Sequence, residues 1–353
     1  MQTESVESGF LSIFALFTFF IFLIINKYSY KLNNGVLLDK DFLKPQAFHK
    51  ETVARSGGIA SIISLILFFF IYYLIFQEIL YEYIFICSSL FFVGYLDDAK
   101  IKIKPTTRLI LMTSFLIIFI GFLPIEIYNI DLIFLNSWLE NNIFSTLFIL
   151  LCFLFIVNGA NLIDGFNGLL AINLIIINSI LLSINMNNNN FEFSVFLIAQ
   201  IIILLSFLLF NFPKAKIFFG DSGSYLMGSL VALNAIFTNN LNPNISSFFF
   251  CILLFYLFFE VFFSFIRKIY QNKSPVFPDN EHLHMLSYKY ICKYIGEEKS
   301  NYINSITINS IFFIMILPGI YFSENGLVCK YWFFSLILIY IMIYFRLYRL
   351  TKN

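Results

Sequence analysis

Hydrophobic residues run along this chain in long unbroken stretches with almost no helical or strand periodicity. Eleven of these runs are long enough to count as spans: 10–26, 59–77, 79–96, 107–124, 143–158, 168–184, 191–212, 222–238, 246–266, 302–320 and 331–346. A run of about 20 apolar residues matches the length a helix needs to cross a bilayer. The pattern predicts an all-α, polytopic integral membrane protein of about eleven transmembrane helices, with residues 1–353 forming a single membrane-embedded domain.

Charge then orients the spans. Alternate connections, 27–58, 97–108, 158–168, 211–221, 267–301 and the C-terminal tail, carry six, four, none, two, six and three Lys or Arg. Of the 22 in the chain, only Lys330 is left for the other side. The positive-inside rule makes the lysine-rich face cytoplasmic, with the N-terminus outside and the C-terminus inside. Composition agrees: 59% of residues are hydrophobic and 12% charged, half the charge of an ordinary soluble domain. The five cysteines are scattered without metal spacing and read as packing residues. The absence of a small-residue cleavage site after the first run argues against a removed signal peptide.

The cytoplasmic connections hold five polar clusters, and the opposite face is bland. Arg55, Gly57 and Gly58 open the second span, where glycine N–H groups at a helix start suit an anion beside an arginine. Asp97 and Asp98 end the third span just before Lys100, Lys102, Lys104 and Arg108. Two adjacent acids at a membrane border are costly unless a cation neutralises them. Adjacent residues on a helix point about 100° apart, so the two carboxylates serve different partners. Asn158, Asn161 and Asp164 recur at i, i+3 and i+6, and their oxygen donors suit Mg2+. Asp221 lies between Gly220 and Gly223 at the start of the eighth span, where an N-cap explains one residue and a metal-held anion explains the turn. His282 and His284 make a His-x-His pair too sparse for zinc and better suited to donating hydrogen bonds to a pyrophosphate. Glu260 lies within the ninth span and needs a partner, and Arg267 is two turns away from it.

In this order, the five clusters resemble the polyprenyl-phosphate N-acetylhexosamine-1-phosphate transferase family, over about residues 39–284. The resemblance implies attack of undecaprenyl phosphate on the β-phosphate of a UDP-linked N-acetylated amino sugar, with release of UMP. This would be the first membrane step of a cell-surface polysaccharide such as O-antigen or teichoic acid. It implies Mg2+, or Mn2+ in its place, as cofactor, and a multi-pass protein of the bacterial cytoplasmic membrane with its active site facing the cytoplasm. Its partners would be the two substrates and membrane lipids, with no nucleic acid; a homodimer stays open.

The resemblance assigns catalytic roles to Asp97, Asp98, Asp164 and Asp221, the first two acting on the lipid phosphate. Substrate binding falls to Arg55, Gly57, Gly58, Lys104, Arg108, Asn161, Asn167, His282 and His284, and the metal to Asp221, Asn158 and Asn161. Asn167 stands where many members carry an acid, and Met285 where many carry a histidine. The triple-histidine run of phospho-N-acetylmuramoyl-pentapeptide transferase is missing, which ranks that reaction lower. A transporter of an anionic solute is the alternative from another class, disfavoured because transporters place ionisable groups near the bilayer midplane.

Overall fold

The computed structural model describes residues 2–31, 36–39, 52–101, 103–128, 130–275, 277 and 279–352, without the side chains of 2–8 and 298. Lys102 and His49 lie outside the described residues. In chain order the elements are α1 (Gln2–Tyr28), β1 (Leu38–Asp39), β2 (Val53–Ala54), α2 (Gly57–Phe76), α3 (Tyr81–Asp98), α4 (Pro105–Phe122) and α5 (Ile133–Leu139). There follow α6 (Asn142–Ile163), α7 (Leu169–Asn187), α8 (Phe191–Asn211), α9 (Gly220–Leu241), α10 (Ser247–Leu253), α11 (Phe255–Tyr270), α12 (Leu283–Ile295), α13 (Glu297–Tyr321) and α14 (Gly326–Lys352).

Among the described residues, eight helices are long and apolar enough to cross a membrane: α1, α2, α4, α6, α7, α8, α13 and α14. The pair α10–α11, bent by 75°, makes a ninth if it is one span. The chain is thus a multi-pass membrane protein. Helices α3 and α9 occupy the other two predicted runs but fall outside this set. Helix α3 carries Glu82, Asp97 and Asp98 within its 18 residues. Helix α9 is rich in Gly, Ser and Asn.

The composition of α9 follows from its place. It packs against α2, α3, α6 and α7 and is buried on nearly every side, so it meets protein where the outer helices meet lipid. Between apolar helices there is little hydrophobic gain, and small residues that let backbones approach closely take over. A Cβ on Gly228 would lie 2.9 Å from Val157 Cα. Buried amides supply the remaining adhesion: Asn234 exchanges hydrogen bonds with Gln200, donates to Asn178 and accepts from the Tyr83 hydroxyl. By contrast α1 turns Leu16, Phe17 and Phe20 outward.

Two features were not foreseen. Strands β1 and β2 form an antiparallel ribbon, Leu38 opposite Ala54 and Asp39 opposite Val53, in a chain predicted to be all-α. Ala54 also bridges to Ile217, so the ribbon is stitched to the connection before α9. Helix α12 sits in the 267–301 connection, and α5 precedes α6. The five cysteines are free.

Candidate functional site: a carboxylate and arginine cluster at the start of α9

The site is built around the first turn of α9, whose amides have no partner within their own helix. Asp98, the last residue of α3, supplies one. Its Oδ1 accepts from the Asp221 amide at 3.1 Å, and its Oδ2 from the Ser222 amide at 2.9 Å and the Ser222 hydroxyl at 2.6 Å. Asp98 is 2% exposed. The cap expected from Asp221 therefore comes from Asp98, 123 residues earlier in the chain. Both oxygens of Asp98 are thereby engaged in holding α9. Asp97, one residue earlier, points elsewhere and keeps one third of its side chain exposed.

Two guanidiniums hold the acids together. Arg55, just after β2, donates through Nε and Nη2 to Asp39 Oδ2 at 3.0 and 2.8 Å. Its Nη1 stands 3.5 Å from Asp98 and 4.0 Å from Asp221. Burial works against the Arg55 charge, and the charges of Asp221, Asp98 and Asp39 outweigh it and raise its pKa. Arg108 on α4 pairs closely with Asp221 and lies 3.4 Å from Asp97, its guanidinium 5.8 Å from the Tyr225 ring. From α6, Asn161 donates to Asp221 at 3.1 Å and to Ser224 at 2.9 Å. Asp164 caps the C-terminal end of α6. Desolvation, joined by the charges of Asp221 and Asp98 and opposed by Arg55, holds its pKa well above the usual carboxylate range.

Asp97, Asp98, Asp164, Asp221, Arg55, Arg108 and Asn161 therefore converge as predicted, and the remaining candidates do not. The amides of Gly57 and Gly58 donate to the carbonyls of Phe218 and Phe219 at 2.9 and 3.0 Å, so they are not open to an anion. A Cβ on Gly57 would stand 2.8 Å from Phe218 O, and one on Gly58 2.8 Å from Gly223 Cα. These glycines are there because two backbones touch. Asn158 donates to Leu154 in its own helix at 2.7 Å, so it turns along α6 and shares no hydrogen bond with Asp221. Asn167 ties its loop to its surroundings, donating through its side chain to Pro213 and through its amide to Asn301. Lys104 is an exposed residue at the start of α4.

His282 is 2% exposed, and its two ring nitrogens face Glu260 at 3.1 Å and Asp279 at 3.2 Å, leaving neither for a pyrophosphate. Glu260 thus has His282 as its partner, and Arg267 pairs with Asp279 and Glu281. Asp279 is pulled below the usual range: desolvation acts against it, and the charges of His282, Arg267 and Lys268 prevail. His284 is fully buried, and desolvation pushes its pKa down to about 3, so it is neutral at ordinary pH. Asp39, Ser222 and Ser224 joined the site unpredicted. Asp39 is one of three acids in the basic 27–58 connection, with Asp41 and Glu51, so nothing in the sequence set it apart.

Carboxylate and amide oxygens fit a hard divalent cation in kind, and the four acids besides Asp164 still outnumber the two guanidiniums. Among the described residues no three His, Cys, Asp or Glu side chains converge on one point, and Arg108 is drawn to the place between Asp97 and Asp221.

Residues 80–239 match the family model of glycosyl transferase family 4. A phospho-N-acetylmuramoyl-pentapeptide-transferase of Clostridium perfringens (strain 13 / Type A) is 33% identical over 153 residues, 41% of this chain and 48% of that protein. An undecaprenyl-phosphate alpha-N-acetylglucosaminyl 1-phosphate transferase of Thermotoga maritima is 30% identical over 137 residues, 39% of this chain and 41% of that protein. A phospho-N-acetylmuramoyl-pentapeptide-transferase of Dictyoglomus turgidum is 29% identical over 231 residues, 62% of this chain and 71% of that protein. The chain thus spans less than half the length of the first two relatives. The matched region contains Asp97, Asp98, Arg108, Asn161, Asp164 and Asp221, the residues that converge on α9, and over residues 80–239 this chain is similar to glycosyl transferase family 4.

Proposed function

We propose that the protein transfers a sugar 1-phosphate from a UDP-linked N-acetylated amino sugar to a polyprenyl phosphate, giving a polyprenyl diphosphate sugar and UMP. The observation that carries this reading is the convergence of Asp97, Asp164 and Asp221 with Arg55 and Arg108 at the start of α9, among helices that cross the membrane. Phosphoryl transfer asks little covalent chemistry of a protein; it needs in-line positioning and neutralisation of charge on the phosphoryl oxygens. A phosphate oxygen of the lipid attacks the β-phosphorus of the nucleotide sugar, the bond from that phosphorus to the bridging oxygen breaks, and UMP departs with the electron pair.

Arg108 is placed to follow charge as it develops, because it joins two of the acids from the rim of the site. Arg55, fixed by Asp39, is the second cation for the phosphates. Asp97, the half-open member of the pair, is the acid suited to orient the lipid phosphate. Asp221, Asn161 and Asp97 would hold Mg2+ or Mn2+, which supplies Lewis-acid neutralisation of the diphosphate when bound. The lipid chain stays in the bilayer, and the nucleotide sugar arrives from the water side. If α3, α9 and the α10–α11 pair each count as one span, the spans number eleven and the site would lie on the basic side, which the positive-inside rule makes cytoplasmic.

The sugar stays open between two readings. Relatives of both names are similarly identical to the chain, so N-acetylglucosamine and N-acetylmuramoyl-pentapeptide stand level as the group transferred. The transporter reading loses its best residue, because deep Glu260 is satisfied by His282, the Leu283 amide and the Tyr340 hydroxyl. The test is UMP release by purified protein given undecaprenyl phosphate, Mg2+ and either UDP-GlcNAc or UDP-MurNAc-pentapeptide. Release with one donor supports the reading and chooses the sugar; a folded protein that releases UMP from neither, nor from other UDP-amino sugars, overturns it.

A further inference from the structure

A second buried network lies in the connection after α11, and the carboxylate cluster makes no use of it. Glu260 is 1% exposed. Its Oε1 accepts from the Leu283 amide at 3.1 Å and faces His282 Nδ1 at 3.1 Å, while its Oε2 accepts from the Tyr340 hydroxyl of α14. Asp279 meets the other ring nitrogen of His282 at 3.2 Å. One turn along α14, the Tyr344 hydroxyl donates to the Glu281 carbonyl at 3.0 Å, and Arg267 lies 6.0 Å over the Tyr344 ring. The last helix therefore grips the histidine segment twice, once through a carboxylate–imidazole chain and once through backbone.

His284 is next along this chain of contacts. Its ring lies parallel to that of His282, with centroids 5.6 Å apart. Its Nδ1 is 3.3 Å from the Tyr256 hydroxyl, its carbonyl accepts from Asn304 at 2.9 Å, and Phe166 packs its edge 5.8 Å away. Phe166 is two residues beyond Asp164, so His284 stands behind the loop that carries an acid of the site. His284 is fully buried, and its Nε2 has no hydrogen-bond partner among the described residues. A buried polar atom without a partner is destabilising, and one kept in a ring otherwise fixed on every side points to a ligand that completes it.

We propose that Tyr340 is a positioning residue: acting through Glu260 and His282, it sets the plane and depth of the His284 ring so that Nε2 is held for an oxygen of the phosphate-bearing substrate. The inference rests on the transferase reading for the identity of that substrate. It concerns α14, outside the matched region, where no residue was singled out from sequence. Removing the Tyr340 hydroxyl leaves Glu260 one donor short and frees His282 to tilt, and the ring stacked on it follows. Loss of one hydrogen bond at a distance predicts a rise of about three- to tenfold in KM for the nucleotide sugar. The reacting atoms are untouched, so kcat stays within about twofold.

The experiment compares Tyr340→Phe, Tyr344→Phe and Glu260→Gln in the full chain, reconstituted in lipid. Because the chain has three histidines, nitrogen NMR of histidine-labelled protein resolves each ring after assignment by single His→Gln variants. In the ligand-free protein, Tyr340→Phe and Glu260→Gln should shift the His282 and His284 resonances together, and both should raise KM. Tyr344→Phe, which leaves the carboxylate–imidazole chain whole, should keep KM within about twofold. Unmoved His284 resonances in Tyr340→Phe, or an equal rise in KM in Tyr344→Phe, would overturn the proposal, as would a fall in kcat and melting temperature at constant KM. If the wild type releases no UMP, the transferase reading fails by itself. The NMR comparison, with UMP titrated in as probe, still decides whether Tyr340 places His284.

Discussion

Replacing Asp98 by Asn separates a residue that builds the site from residues that work in it. The Asp98 side chain is fully buried and accepts from two amides and a hydroxyl of α9, with Arg55 3.5 Å away. Asparagine has nearly the same shape, but one oxygen becomes an NH2 group that must face a donor. A hydrogen bond to a charged group contributes about 1.5–3 kcal/mol, and α9 also loses the negative charge at its N-terminus, about 0.3–1 kcal/mol. The expected loss is about 2–4 kcal/mol, seen as a fall of several degrees in the melting temperature of detergent-solubilised protein followed by size-exclusion chromatography. Asp97→Asn, at a side chain one third exposed, should leave the melting temperature unchanged and lower kcat by about a hundredfold or more. An Asp98→Asn protein with native stability and no activity would refute the reasoning, because Asp98 would then act on substrate directly.

Four further outcomes follow from the same geometry. Gly94→Ala puts a Cβ 2.5 Å from the Ser222 amide nitrogen, so α3 and α9 must separate; stability and UMP release should fall together, the first in a thermal melt and the second in a coupled assay. Asp39→Ala releases two of the hydrogen bonds that fix Arg55 and should raise KM for the nucleotide sugar about tenfold, measured against Asp39→Asn, which keeps one acceptor and recovers part of the loss. Arg108→Lys keeps charge but cannot bridge Asp97 and Asp221 as a fork, so kcat should drop at least tenfold with little change in melting temperature. Asp164 has a raised pKa in the folded state. The metal-free protein should therefore lose stability as pH rises from about 4 toward the folded pKa, and hold level above it. Asp164→Asn should melt higher than wild type at pH 8, with the difference gone below about pH 4.

The sequence made the membrane architecture legible because a bilayer leaves few choices: every predicted run is occupied by helix, including the Gly-, Ser- and Asn-rich α9. The acids were legible for a related reason. Asp97, Asp98, Asp164 and Asp221 are costly at a membrane border, and their cost showed in the pattern before any partner was known. Partners were not legible. Glu260 finds His282 and Tyr340 through the packing of α11 and α14, and Arg55 finds Asp39 through the β1–β2 ribbon. The glycines misled for a physical reason: Gly57 and Gly58 serve close backbone contact, which from sequence looks the same as an anion-binding turn. His282 misled likewise, since a His-x-His pair reads as a ligand until the carboxylates on both ring nitrogens of His282 are seen.

The most direct test follows the phosphorus. With a UDP-amino sugar labelled at the β-phosphate, undecaprenyl phosphate and Mg2+, the protein should carry the label into the lipid phase while unlabelled UMP accumulates in equal amount, and Asp97→Asn should reduce both together. Label that stays in the aqueous phase in the presence of folded protein, across N-acetylglucosamine and N-acetylmuramoyl-pentapeptide donors, would contradict a sugar 1-phosphate transferase.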